Sequence, residues 1–118
     1  MLDLSFYTQT QEPAYHISLP DTLWRWLAGS QFATIGQEQD IPITYDDETE
    51  SLPLVLLESD TRQQFIAFFQ EAIIQETRSI LDRLNSPTPP QEQVLQLQKL
   101  IEILDCLKDR QYHYLQRY

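Results

Sequence analysis

Two glycines in 118 residues, Gly29 and Gly36, exclude the glycine-rich loops that cradle phosphates or dinucleotides. G-x-S-x-G and S-x-x-K frames are missing as well, so no serine has the setting of a nucleophile. A single cysteine, Cys106, cannot form an internal disulfide, which fits a reducing cytoplasm. Glu102 and Asp109 lie near it on the helix read there, and acids raise a thiol pKa, so Cys106 reads as a packing residue. The two histidines, His16 and His113, sit in no H-x-x-H or C-x-x-C frame, and zinc has no support. No cofactor is implied. The longest apolar run is "LPLVLL", and "MLDLSFYTQT" carries no basic n-region, so neither a membrane span nor a signal peptide is expected.

Bases are also scarce. Eight Lys and Arg face eighteen Asp and Glu, for a formal charge of -10. The imbalance is local: residues 1–60 hold eleven acids against one base, Arg25, whereas residues 61–118 hold seven of each. Such a surface repels phosphate backbones, which argues against nucleic acid as a partner and makes a basic protein the natural complement.

What is present suffices for one domain over residues 1–118, with 42% apolar and 11% aromatic residues. "LDLSFYT" and "AYHISLP" alternate in the two-residue period of half-buried strands, and the polar "QTQEP" between them reads as the loop of an antiparallel pair. In "PDTLWRWLAGS" the period changes to that of a short helix over 21–29, started by Pro20 and Asp21 and stopped by Gly29. "SQFATI" reads as irregular. "IPITY" alternates again, as a strand confined to an edge by Pro42, while "SLPLVLLES" is either a fourth strand or the lead-in to a helix. Two helices are expected next. The first runs over 60–85, with Asp60 as N-cap and Gln63 in the capping box, and an apolar face from Phe65 to Ile80. "NSPTPPQ" breaks it, and Thr88 caps a second helix over 89–117 whose stripe runs through Val94, Leu97, Leu100, Ile101, Leu104 and Leu107 to Tyr118. The resulting fold class is α+β: an acidic β-rich half (1–58) forming a small antiparallel sheet with a short helix, packed on a long C-terminal antiparallel helical hairpin.

Three segments are candidates for function. "DDETE", with Asp46, Asp47, Glu48 and Glu50, reads as a metal site, a patch for a basic partner, or a solvated loop that blunts a sheet edge. It lacks the glycine and the alternating ligand frame of a calcium loop, which weakens the first reading. "LWRWL" puts two tryptophans on one short helix; positions two apart diverge by about 200°, so one turns outward, and Trp24 is the candidate for partner contact. Tyr112, Tyr114 and Tyr118 in "YHYLQRY" either finish the core stripe or form a contact surface. Two charges interrupt the stripes, Glu76 and Lys108, and the hairpin offset between them is too large for an ion pair.

Together these point to a small acidic cytoplasmic interaction protein without catalytic activity that binds a basic protein partner, as an immunity protein or antitoxin does. The alternative is a structural or assembly subunit that dimerises or docks through its last helix. A third is a metal-dependent hydrolase using the acidic turn.

Overall fold

The alternating segments of the first half do become strands. The computed structural model describes residues 2–9, 13–45, 47–84 and 91–117. In it β1 (Leu2–Thr8) pairs antiparallel with β2 (Pro13–Leu19), Leu4 opposite Ile17 and Phe6 opposite Tyr15. Strand β3 (Glu38–Tyr45) pairs antiparallel with β4 (Glu48–Leu56), from Glu38 opposite Val55 to Tyr45 opposite Glu48. β3 lies at an edge, where Pro42 removes no ladder bond from the sheet interior, and "SLPLVLLES" resolves as the strand β4.

The two pairs are joined by a strand not expected from the sequence. The last helix, read as continuing to residue 117, stops at Lys108, and Tyr112–Gln116 form β5. Phe6 lies opposite Leu115 on one side, and Val55 lies opposite Leu115 on the other. The sheet is therefore antiparallel in the order β2-β1-β5-β4-β3, with the last strand in the chain at its centre. The break is local: Lys108, Asp109, Arg110 and Gln111 are four polar residues in a row, and the Asp109 carboxylate accepts from Gln111 N at 3.1 Å, closing a turn.

Among the described residues three helices complete an α+β fold: α1 (Asp21–Ala28), α2 (Ser59–Asp82) and α3 (Gln91–Lys108), with α2 and α3 packed against the sheet. α2 starts at Ser59 and has no side-chain cap, so Asp60 is a first-turn acid, not the N-cap. Thr88 and the prolines beside it lie outside the described residues. A 3-10 turn at Gln31–Thr34 occupies the segment read as irregular, and Ser30 Oγ accepts from Phe32 N at its start.

One sheet face carries Leu4, Phe6, Ile17, Leu19, Val55 and Leu115, and the helices cover it with Leu23, Leu27, Phe65, Phe69, Ile103 and Leu107. Phe32 reaches between them, its ring 5.6 Å from Phe65 and 5.4 Å from Phe69. A smaller cluster of Tyr7, Ile43 and Leu54 forms apart from this core. The helical phase of α3 differs from the expected stripe. Ile103 is fully buried, whereas Ile101 and Val94 are exposed. The inward face centres on Leu100, Ile103, Leu104 and Leu107, and Ile101 lies about 100° from Leu100.

The burial is one-sided along the helices. On α2 the buried residues are Phe65, Ile66, Phe69 and Ala72, and none lies beyond Ala72. On α3 they begin only at Leu100. Contacts between the two helices run in opposite sequence order, Arg62 reaching the carbonyl of Leu107 and Ser79 meeting Gln93. The latter half of α2 and the first half of α3 thus extend past the sheet. Overall extents are 54 × 28 × 24 Å. No helix among the described residues is long and apolar enough to cross a membrane.

Candidate functional site

The acidic segment is mostly strand. Tyr45 and Glu48 pair across β3 and β4, and Asp47 is the described residue of the turn between them. Asp46 lies outside the described residues. Asp47 adopts φ 66°, a left-handed conformation that Asp tolerates better than most residues because its short side chain can bond locally. Glu48, Thr49 and Glu50 begin β4 and are all exposed. Among the described residues β4 meets β5 only at Val55 and Leu56, extended by Leu57 N donating to His113 O at 2.8 Å. Among the described residues, 48–54 pair with β3 alone, and β3 with β4 forms a two-stranded arm about 20 Å long, packed through Ile43 and Leu54 against Tyr7.

Acids occupy both faces of this arm and its tip. Asp40 is opposite Pro53 on one face, while Glu50 and Glu48 are opposite Ile43 and Tyr45 on the other. Residues 38–50 contain six acids and no base, and no Lys or Arg occurs anywhere between Trp26 and Thr61. The arm is anchored at its base. Arg117 Nε donates to Glu38 Oε1 at 3.1 Å and Nη1 donates to Phe32 O at 2.5 Å, with the guanidinium 5.5 Å from the centre of the Phe32 ring. That arginine is nearly buried and spent on structure, so it does not offset the outer charges.

Among the described residues no group of three or more His, Cys, Asp or Glu side chains could hold a metal ion. The Cys106 thiol is buried, and burial, with Glu102, Asp105 and Asp109 nearby, pushes its pKa up to about 11. A thiol held protonated in this way is a poor nucleophile. His16 is on β2, its Nδ1 2.7 Å from Ser5 Oγ.

The two tryptophans differ in exposure in the order opposite to the one expected. Trp24 is half-buried against the core, and Trp26 is the exposed one, at 46%. Leu23 and Leu27, four apart, set the inward face of α1, and Trp26 falls beside it, its ring 5.7 Å from Phe68. Trp26 and Phe68, with Ile35, Gln64, Glu71 and Gln75, line an open groove of about 680 Å³ between α1 and α2. Trp26 was legible as apolar but not as exposed, because the two tryptophans' order of burial depends on where α2 packs.

Tyr112 and Tyr114 lie on the strand β5 and not on a helix. Tyr112 is buried, its ring 5.6 Å from Phe6. Tyr114 is half-buried beside the Tyr7, Ile43 and Leu54 cluster. Tyr118 lies outside the described residues. Glu76 and Lys108 do not meet: Lys108 is exposed, and Glu76 lines a cavity of about 230 Å³ with Leu23, Ala72, Gln96 and Leu100. Glu76 Oε1 is buried there and has no hydrogen-bond partner among the described residues.

The chain matches no family model, no curated protein and no solved structure.

Proposed function

We propose that this protein is a small acidic cytoplasmic interaction protein without catalytic activity, and that the β3–β4 arm is the part that docks onto a basic protein. One observation carries the reading: the sequence has six acids within residues 38–50 and no base from Trp26 to Thr61. Of the acids described on the two-stranded arm, Glu38 pairs with Arg117, while Asp40, Asp47, Glu48 and Glu50 are exposed. Fields of one sign steer a complementary partner toward the surface and reject like-charged ones. A two-stranded arm adds shape to charge, since it can enter a basic cleft that a flat surface cannot. Occlusion of such a cleft is the immunity or antitoxin mode of action. The same charges, with Pro42, keep β3 from pairing edge to edge with other sheets. That protective role is compatible with docking through side chains.

A second reading rests on a different observation. The exposed apolar residues on the overhanging halves of α2 and α3 favour a structural or assembly subunit, with the two helices acting as an antiparallel hairpin that docks elsewhere.

Affinity capture from native extract separates them. The arm reading expects a basic protein that is retained at low salt and released at high salt. It also expects capture to be lost when Asp40, Asp47, Glu48 and Glu50 are neutralised to Asn or Gln. Capture that is indifferent to salt and to these four changes would refute it.

A further inference from the structure

We propose that the overhanging halves of α2 and α3 form a self-association surface, on which the occupant is the same region of a second copy of this chain. Six large apolar residues in and beside these halves are between 39% and 61% exposed: Ile74 and Leu81 on α2, Leu84 just past its end, Val94 and Leu95 on α3, and Ile101 where α3 meets the core. They are not scattered. Ile74 and Leu81 are seven residues apart and so share one line along α2; Val94 and Ile101 share another along α3. Neither line carries the residues buried in the core. α1 reaches the inner side of the pair at Gln75, Glu76 and Gln96 and leaves the outward seams uncovered, whereas two such pairs brought together can bury them in a four-helix bundle.

Charge identifies the occupant. Residues 73–101 hold three acids, Glu76, Asp82 and Glu92, against three bases, Arg78, Arg83 and Lys99; Glu76 has one oxygen buried, and Lys99 pairs with Glu102 just beyond, at 3.7 Å. The entire net charge of -10 therefore lies outside this region. A strongly basic partner finds no complement here and finds one on the arm. A second copy finds a neutral surface carrying both signs, which can be self-complementary about a two-fold axis. The acidic remainder need not oppose this. From Ala72, the last buried residue of α2, to Asp82 is about 15 Å of helix, and charges are screened over roughly 8 Å at physiological ionic strength. The surface is separate from the arm, so a dimer presents two arms and self-association does not depend on the arm reading.

Sedimentation equilibrium of the full chain at micromolar concentration tests the proposal. The expected result is twice the 14.0 kDa chain mass, maintained or strengthened at high salt, because added salt weakens repulsion between the acidic parts and not apolar burial. Leu81→Glu combined with Leu95→Glu should return the single-chain mass while leaving the far-ultraviolet circular dichroism unchanged, since both side chains are exposed in the monomer. Hydrogen exchange of the unaltered protein, repeated over a dilution series, supplies a check that needs no variant: amides of residues 74–101 should lose protection on dilution before those of β1 and β5. A single-chain mass at every concentration and salt, exchange in 74–101 that is independent of dilution, or a dimer that survives both substitutions would each overturn the proposal.

Discussion

The Arg62 guanidinium, on the first turn of α2, donates to the backbone carbonyl of Tyr112, the first residue of β5. The same group donates to Leu107 O at 2.6 Å and to Asp109 O at 3.2 Å, which places one cation on the unsatisfied carbonyls at the end of α3. Arg62 thus holds the turn that sends the chain from helix back into the sheet. Arg62→Ala should cost about 2–3 kcal/mol in urea melts, because partly buried carbonyls lose a charged donor. Arg62→Lys should recover only part of this, since an ammonium cannot span the fork. An unchanged midpoint for the alanine variant would remove Arg62 from this role.

Gly36 is the position where glycine is needed. Its φ is 69°, and an added Cβ would lie 2.8 Å from Val55 Cγ1 and 2.9 Å from Thr61 Cγ2. Gly36→Ala should destabilise the protein by about 1–3 kcal/mol through both backbone strain and crowding. Thermal melts that show no loss would mean that the connection from the 3-10 turn to β3 relaxes freely.

Alkaline pH should weaken the fold from a defined point. The buried Cys106 thiol is pushed up from 9.0 to about 11, and burial also raises the Tyr112 phenol. An acid whose native pKa is raised keeps its proton while the unfolded chain has already released it. The stability this contributes is fully present below pH 9 and declines as pH rises toward about 11. Urea midpoints measured across that window should fall, and Cys106→Ala should make the slope shallower. A slope identical in the variant would assign the loss elsewhere.

Neutralising Asp47, Glu48 and Glu50 together should leave stability within about 0.5 kcal/mol or raise it, because all three are exposed and repel one another. A loss of several kcal/mol would show fixed partners for these carboxylates. Glu76→Met should also stabilise, by about 1 kcal/mol, since it replaces a buried oxygen that lacks a hydrogen bond with apolar volume beside Leu23 and Leu100. Thermal denaturation of each variant provides the comparison.

The parts of the fold that were legible in the sequence share one property: each has a single buried face. Alternation in "LDLSFYT" and "IPITY" names strands because one side of each carries most of the apolar residues, and the core face of α2 follows from Phe65 and Phe69 for the same reason. β5 was not legible because it lies at the centre of the sheet. Tyr112, Leu115 and Gln116 are all buried, so no polar-apolar alternation survives, and the spacing of Leu107, Tyr114 and Leu115 imitates a continuing helix. The signal was present in "KDRQ", a full polar turn that no amphipathic stripe crosses. For the candidate site, the acidic run was evident from composition. Its placement on a two-stranded arm depends on β4 meeting β5 only at its last residues, and that long-range pairing leaves no mark on the local sequence.

Hydrogen exchange on the complex with the captured basic protein tests the arm most directly. Backbone amides of residues 38–52 should gain protection on binding, with β2, the Trp26 groove and the overhanging helix halves unchanged. Protection that falls on the groove or on the helices, with residues 38–52 exchanging as in the free protein, would contradict the account.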